Sequence, residues 1–382
     1  MENITKNSRR DFLKITAITS GGLVLGFNWL NVEAAPVIVS DSAMAAGNIG
    51  FNSYLSIASD GVVTIMSPNP ELGQNILTSF PMIVAEELEA DWTKVKVLQA
   101  NLDSKFDRQL TGGSGAVPHS WKLLRTAGAT AKAMLVQAAA QKWGVPAAEC
   151  TASMGFVSHA GKKLGYGELA EAASKIPVPT DVKLKDRKDF KLIGTRVRNV
   201  ANKDIVTGKP LFGLDFYREG MLFAMIQRPE SFGMKVKSVD SAAAKAMPGI
   251  VDVVSFKNYV AVVGKSTWQV LKARKLLKIE YEKDGAIEST DDHNKLFLSL
   301  MDSGTATVRR KDGDVDTAFK NAAKVVKGEY QCPFLSHSPM EPMNFFAHVK
   351  PDGIELVGPT QTPARARTQV SQLLKVPEDK IT

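Results

Sequence analysis

Residues 111–144 read TGGSGAVPHSWKLLRTAGATAKAMLVQAAAQKWG, a glycine-rich loop followed by a long alanine-rich segment. Residues 118–143 predict a single helix because helix-forming residues fill the segment and Gly144, a common helix terminator, follows it. Its many small side chains favour a short distance to a neighbouring helix. We therefore expect residues 111–115 to form a flexible loop that leads into a closely packed helix.

The sequence on either side of this helix alternates between short strand patterns and helix patterns. Asp60-Gly61 and Ala160-Gly161 are typical hairpin turns between apolar runs. Apolar residues at three- and four-residue steps predict a helix over residues 73–88. The predicted neighbours are a hairpin at 54–59 and 62–66, a strand at 95–99, a second hairpin at 156–159 and 162–164, and a helix at 166–173.

A polar stretch at residues 175–198, rich in Lys, Asp and Pro, predicts a linker that crosses the surface between domains. Strand and helix patterns then alternate in a way that is typical of a compact α/β domain. We predict strands at 222–227, 251–256, 260–263 and 278–282 with helices at 240–246 and 267–276. Helices near 293–302, 315–323 and 363–374 and strands near 325–331 and 354–357 complete a mixed fold, α/β with α+β character.

Composition narrows the class of protein. The 382 residues are 44% hydrophobic and 23% charged, as in ordinary globular proteins, and they suffice for two or three domains. The net charge of +8 comes from scattered basic residues, so nucleic acid is not the expected partner. The spacing of Cys150 and Cys332 leaves a disulfide between them open, and two cysteines cannot hold a [2Fe-2S] cluster, which needs four ligands.

The first residues have the pattern of a twin-arginine export signal. Ser8-Arg9-Arg10-Asp11-Phe12-Leu13-Lys14 precedes a short, weakly apolar stretch at residues 15–30. Small residues around Val32-Glu33-Ala34 predict cleavage after about Ala34. Because the twin-arginine route carries folded cargo, the signal predicts a periplasmic protein that carries a cofactor; whether it associates with the membrane stays open.

Two glycine loops precede predicted helices, at Leu72-Gly73-Gln74-Asn75 and at Gly112-Gly113-Ser114-Gly115. Exposed backbone N–H groups and the helix dipole attract anions at such places. Glycine in an ordinary tight turn is the commoner explanation of such a pattern, and both interpretations stay open on spacing alone.

The segment His337-Ser338-Pro339-Met340-Glu341-Pro342 places a histidine and a glutamate among prolines that forbid an ordinary helix. A rigid loop that displays Glu341 suits an active site, and a structural glutamate that caps neighbouring amides suits the spacing equally well. No two of the five histidines have metal-ligand spacing, so we expect no metal held by protein side chains.

Taken in order, these segments resemble the molybdopterin-binding large subunits of the xanthine oxidase and aldehyde oxidase superfamily, and most closely the exported branch that includes the isoquinoline 1-oxidoreductase beta subunit. The resemblance extends over nearly all of the chain after the signal. Its motifs are Glu71-Leu72-Gly73-Gln74-Asn75-Ile76-Leu77-Thr78 with Val84-Ala85-Glu86-Glu87-Leu88, Thr111-Gly112-Gly113-Ser114, Leu124-Arg125-Thr126-Ala127-Gly128-Ala129, Thr207-Gly208-Lys209-Pro210-Leu211-Phe212-Gly213-Leu214-Asp215, Met247-Pro248-Gly249-Ile250, Met340-Glu341-Pro342-Met343-Asn344 and Pro359-Thr360-Gln361-Thr362-Pro363.

The resemblance implies a domain order. After the signal at residues 1–34 come a molybdopterin-binding segment at 50–175, the linker at 176–206, an α/β hammerhead domain at 207–285 and the start of the molybdenum-binding core at 290–382. The family's later glycine-rich motif and its catalytic glutamate lie beyond Thr382, so we expect this portion to be incomplete and inactive alone.

Site residues are also implied by the resemblance. Gly73, Gln74 and Asn75 of the first loop and Gly112, Gly113 and Ser114 of the second would bind molybdopterin cytosine dinucleotide with its molybdenum, non-covalently. Glu341 matches a carboxylate that faces substrate in purine-oxidising relatives. Asn75 stands where the family usually has glycine, so a side chain occupies a position at which backbone would otherwise approach the pterin.

The activity so implied is oxidation of an aldehyde or N-heterocycle with water as the oxygen source, with electrons leaving through [2Fe-2S] clusters on a separate small subunit and a cytochrome as one candidate acceptor. The alternative is a truncated, non-catalytic relative that serves as a periplasmic binding or scaffold module. A basic periplasmic adaptor for an acidic partner is a third, weaker possibility.

Overall fold

The structure is a computed structural model that describes residues 54–106, 108–209, 212–303 and 306–382. The export signal lies outside the described residues. The chain divides into two compact units, one formed by the described residues up to Phe216 together with Met343–Thr382, the other by Tyr217–Pro342. The fold is mixed α/β, as predicted. The domain boundaries implied by the resemblance stay predictions.

A β-α-β crossover begins the first unit. Strands β1 (Leu55–Ile57) and β2 (Val63–Ser67) form the predicted antiparallel hairpin. Helix α1 (Ile76–Leu88) then crosses over to β3 (Val95–Gln99), which pairs with β2 in parallel. The helix begins three residues later than predicted, because Asn75 has left-handed backbone geometry and separates the glycine loop from the helix.

The long helix α2 (Ala116–Trp143) ends at Gly144, whose φ of 67° confirms the predicted glycine terminator. Helix α2 packs against α1 at Gly128. A Cβ placed on Gly128 would lie 2.3 Å from the carbonyl oxygen of Val84, so only glycine permits this approach. The small side chains that suggested close packing are buried here, among them Ala127, Ala131 and Ala138.

A three-stranded antiparallel sheet and a short helix follow α2. The predicted hairpin and helix are present, and a strand that the sequence analysis missed adds to the sheet. Tyr166 at the start of the helix is buried, and its hydroxyl donates to the Leu88 carbonyl at 2.6 Å, which fixes this sheet to the end of α1. The elements are β4 (Thr151–Ser153), β5 (Phe156–His159), β6 (Lys162–Gly165) and α3 (Tyr166–Ser174).

The second unit contains most of the predicted α/β elements around a core of Ala244, Val262, Val270 and Ala273. Strand β8 was missed because alternating lysines conceal its apolar face. The elements are α4 (Asn202–Val206) ahead of the unit, then β7 (Phe223–Gln227), β8 (Met234–Asp240), α5 (Ala242–Lys245), β9 (Ile250–Phe256), β10 (Tyr259–Gly264), α6 (Thr267–Arg274), β11 (Lys278–Lys283), α7 (Thr290–Ser303) and α8 (Val315–Lys320). The strands of this unit form a three-stranded antiparallel sheet in the order β7-β10-β9, and β11 pairs separately with β8.

The strand predicted near residues 325–331 is wrong. These residues have no strand structure, and the side chains of Val326 and Tyr330 are 81% and 94% exposed. A strand needs a neighbour to accept its backbone hydrogen bonds, and apolar alternation alone does not supply one.

The chain returns to the first unit with β12 (Phe346–Lys350), β13 (Gly353–Val357) and α9 (Pro363–Leu374). Strand β12 was missed, whereas α9 has the predicted bounds. The two strands pair as a hairpin, and Ile381 forms a parallel bridge with Ile354. No helix in the described parts of the chain combines the length and apolar character needed to cross a membrane.

Candidate functional site

The first glycine loop (residues 72–75) is neutralised by a carboxylate of the chain itself. One oxygen of Glu71 accepts hydrogen bonds from the N–H groups of Gly73 at 2.7 Å and Asn75 at 3.1 Å. The other oxygen accepts from Leu77 in the first turn of α1 at 2.9 Å. A negative charge on the amides of a helix N-terminus is stabilising, so Glu71 occupies the position that a bound anion would take.

The remaining side chains of the first loop also act within the loop. Gln74 accepts from the Leu72 N–H at 2.7 Å and donates to the Pro70 carbonyl at 3.0 Å. Asn75 has a φ of 69°, a geometry that asparagine tolerates better than most residues other than glycine. Asn75 thus adopts a left-handed turn geometry of the kind that glycine most readily supplies. Gly73, Gln74 and Asn75 are all exposed.

The second glycine loop (residues 111–115) differs because, in the parts of the chain that the structure describes, no side chain caps the helix that follows it. The turn closes with a 3.1 Å hydrogen bond from the Gly115 N–H to the Gly112 carbonyl, and Gly113 and Ser114 both have positive φ. Among the described residues no side chain caps α2, and its first turn contains no acidic residue. The partial positive charge of a helix N-terminus at an exposed turn favours a nearby anion.

Arg108 adds positive charge at the same place. A Cβ on Gly115 would lie 3.7 Å from a guanidinium nitrogen of Arg108, so the guanidinium group is beside the helix N-terminus. Gly113 and Ser114 at the tip of the turn are exposed, while Gly112 is half-buried. An exposed turn, a bare helix N-terminus and an arginine together favour binding of a phosphate or another anion.

Buried amide side chains hold the second loop in place. Gln109 donates to the carbonyls of Pro68 at 3.1 Å and Asn101 at 2.8 Å. Asn69 donates to the Leu110 carbonyl at 2.6 Å. The two polar atoms Asn69 Oδ1 and Ser67 Oγ are buried without a hydrogen-bond partner in the described part of the chain. The side chains that hold the second loop are thus polar and buried.

A buried ion pair joins the last turn of α1 to α2 and to residues 185–193. Glu87 is 0% exposed, and its carboxylate accepts from Arg125 Nε at 2.7 Å and from the Lys185 N–H at 3.1 Å. The Arg125 guanidinium also lies over the rings of Trp121 and Phe190, at 5.3 and 5.2 Å from their centres. This pair fixes the crossing of the two helices that carry the glycine loops.

The neighbouring Glu86 binds the 185–193 segment along its backbone. Its carboxylate accepts from the amides of Lys191, Leu192 and Ile193 and from the Lys185 ammonium group. Burial alone would raise the pKa of Glu86, but these hydrogen bonds outweigh burial and lower its pKa. The segment predicted as a linker is therefore attached to α1 over much of its length.

Glu341 belongs to the second unit, where it is half-buried, while His337 is exposed. The two glycine loops belong to the first unit. Within the first unit the structure brings the two loops together. The assignment of Glu341 to substrate stays a prediction.

Sequence reasoning placed four residues within the motifs of the resemblance but gave them no structural role: Glu71, Thr111, Glu86 and Glu87. A signal existed for two of them. Glu86 and Glu87 interrupt the apolar face of a helix, and a charge there is rarely buried without a partner. The local sequence pattern does not indicate which basic groups bind these carboxylates, because those groups lie about 40 and 100 residues later in the chain.

Comparison with protein families gives two matches, each described as a molybdopterin cofactor-binding domain, at residues 35–212 and 300–382. Together they cover well over half of the chain. The first match contains both glycine loops, and the second contains Glu341 and Gln361.

Curated relatives agree with these matches. The chain is 30% identical to the isoquinoline 1-oxidoreductase subunit beta of Brevundimonas diminuta, over 98% of this chain and 54% of that protein. It is 29% identical to a membrane-bound aldehyde dehydrogenase [pyrroloquinoline-quinone] of Gluconacetobacter polyoxogenes, over 98% of this chain and 50% of that protein. The chain thus spans about half the length of these two relatives.

Among solved structures, the chain is similar to quinoline 2-oxidoreductase from Pseudomonas putida, with 23% identity, a TM-score of 0.38, and coverage of 50% of this chain and 29% of that one. The family assignment depends on the sequence matches, which cover both loops and the segment that contains β12, β13 and α9. The chain belongs to the family of proteins built from molybdopterin cofactor-binding domains.

Proposed function

We propose that this chain is the part of a molybdenum hydroxylase subunit that holds the molybdenum–pterin cofactor. The observation that carries the proposal is the bare N-terminus of α2 behind the second glycine loop, with Arg108 beside it. This arrangement lies within one of the two matched cofactor-binding segments.

The two loops fit the cofactor unequally. Among the described residues, the second loop offers uncapped amides, positive φ at two successive residues and a first helical turn without acidic side chains, which suits a phosphate-bearing group. In the first loop the amides of Gly73, Asn75 and Leu77 are already bound to Glu71. We assign the anionic part of molybdopterin cytosine dinucleotide to Gly112, Gly113 and Ser114, and a contact with the neutral pterin ring to the first loop.

When bound, the molybdenum–pterin group supplies oxidation of an aldehyde or N-heterocycle, with water as the oxygen source. The protein's own residues bind and orient the cofactor and substrate and shield them from water. The second loop neutralises cofactor charge, the Glu87–Arg125 pair holds the two loop-bearing helices together, and Glu341 faces the substrate.

We assign electron transfer to a partner. The chain contains two cysteines, Cys150 and Cys332, which cannot ligate a [2Fe-2S] cluster. A small iron–sulfur subunit would carry the clusters, with a cytochrome as a candidate acceptor. The pattern around Arg9 and Arg10 supports export of the folded, loaded subunit to the periplasm. Replacing both arginines with lysine should keep the subunit in the cytoplasm, which fractionation measures.

The decisive experiment is metal and cofactor analysis of the full-length protein purified from its host. Molybdenum and pterin in near-stoichiometric amounts support the proposal. Pyrroloquinoline quinone without molybdenum would overturn it. A protein without molybdenum or quinone that still binds a partner would instead favour the non-catalytic scaffold alternative.

A further inference from the structure

Three distant stretches of the first unit meet at Thr111, the residue that begins the second glycine loop. The Thr111 N–H donates to the Gln361 carbonyl at 3.1 Å, and Gln361 Nε2 donates back to the Thr111 carbonyl at 2.9 Å. The Thr111 hydroxyl donates to the carbonyl of Pro70 at 2.8 Å. Thr111 is 8% exposed, so these bonds are largely shielded from water.

The Pro70 carbonyl connects the two glycine loops. It accepts from the Thr111 hydroxyl and also from Gln74 Nε2 in the first loop, at 3.0 Å. Through this shared acceptor, a displacement of Thr111 changes the environment of Gln74. The two loops are therefore joined by a hydrogen-bond chain that runs from Gln361 through Thr111 and Pro70 to Gln74.

We propose that Thr111 and Gln361 are positioning residues that set the second glycine loop against the first. The inference rests on the proposed function, since the loops are the assigned cofactor contacts. Gln361 lies two residues before α9, and its Nε2 atom would be 3.7 Å from a Cβ on Gly112. Gln361 therefore contacts the side of the second loop, although it lies 250 residues further along the chain.

Three substitutions separate this role from general stability. Thr111→Val keeps the shape of the side chain but removes the hydroxyl that donates to Pro70. Thr111→Ser keeps the hydroxyl and should rescue the loop. Gln361→Glu keeps the length of the side chain but cannot donate to the Thr111 carbonyl. Gln372→Glu, on the exposed surface of α9, is the matched control for the added charge.

The readouts are hydrogen exchange of the two loops and the molybdenum content of the full-length protein. A lost hydrogen bond of this kind should speed exchange of residues 72–75 and 111–115 by roughly 2- to 10-fold in Thr111→Val and Gln361→Glu. Molybdenum content should fall in the same two variants, and Thr111→Ser and Gln372→Glu should behave as wild type.

Unchanged loop exchange in both variants would overturn the proposal, and so would an equal increase throughout α1 and α2, which indicates only a less stable domain. Exchange does not require the cofactor. A wild-type protein without molybdenum would therefore refute the proposed function, while loop exchange would still decide whether Thr111 and Gln361 position the loops.

Discussion

The two glycine loops precede helices that pack against each other, yet the two helix N-termini are neutralised differently. At α1 the Glu71 carboxylate accepts from three amides, whereas at α2 no described side chain caps the helix and no acidic residue lies in the first turn. A glycine loop before a helix is thus not by itself an anion site. At α1 the Glu71 carboxylate already binds the amides that a ligand would need.

The Glu87–Arg125 ion pair joins the two helices that follow the glycine loops. Removing it should therefore have the largest effect and should disturb both loops alike. Glu87→Gln would leave the Arg125 guanidinium buried beside a neutral amide. Removing one partner of a buried ion pair typically costs about 3–5 kcal/mol of unfolding free energy. Urea unfolding of the purified chain measures this loss, and both loops should exchange faster together.

Two further variants sharpen that result. Glu171→Gln, in the exposed pair with Lys175, should change stability little. The double variant Glu87→Leu with Arg125→Met should recover much of the lost stability, since apolar residues often replace a buried pair without large cost. A double variant as unstable as Glu87→Gln would show that the loss comes from the contacts of this pair with Lys185 and not from an unpaired Arg125 charge.

Acid should loosen the same scaffold through Glu86. The hydrogen bonds from Lys185 and from the 185–193 backbone outweigh burial and lower the pKa of Glu86 from its ordinary value of 4.5. A carboxyl group whose pKa is lowered by folding stabilises the protein above 4.5, and this contribution is lost as the pH falls below 4.5 through the folded-state pKa. Urea unfolding over this pH range measures the loss.

The matched variant for this acid effect is Glu86→Gln, which cannot titrate. The stability difference between wild type and variant should shrink as the pH falls below 4.5. A difference that stays constant with pH would contradict the assignment of this acid sensitivity to Glu86.

The second loop can be converted to resemble the first. Gly115→Asp places a carboxylate at the N-terminus of α2, in a position where a Cβ meets only ordinary contacts with Gly112 and Arg108. A charge at a helix terminus is worth about 1–2 kcal/mol in a favourable site, so cofactor binding should weaken roughly 5- to 30-fold. Molybdenum content of the full-length protein measures this. Gly115→Asn adds a similar shape without charge, and an equal loss in that variant would show a steric effect instead.

The parts of this comparison that are local in sequence were predicted, and those that depend on distant residues were not. The bounds of α9, the β1–β2 hairpin and the Gly144 terminator of α2 follow from periodicity and turn chemistry within a few residues. The segment at 325–331 had the same local signal but no strand beside it. Thr111 and Gln361 meet across 250 residues, a distance over which patterning carries no information. Glu71 lies next to its loop, but nothing in the pattern distinguishes a capping glutamate from an exposed one.

The smallest effect expected concerns Asn75, the last residue of the first loop. Its φ of 69° suits glycine, so Asn75→Gly should raise the unfolding free energy slightly or leave it unchanged, whereas Asn75→Ala should lower it by about 1 kcal/mol. Urea unfolding separates the two variants. Because Glu71 holds the amides of this loop in either variant and the loop is assigned only a contact with the neutral pterin ring, molybdenum content should fall less than in Gly115→Asp. A several-fold rise in molybdenum content in Asn75→Gly would mean that the Asn75 side chain, and not Glu71, keeps the cofactor's charge away from the first loop.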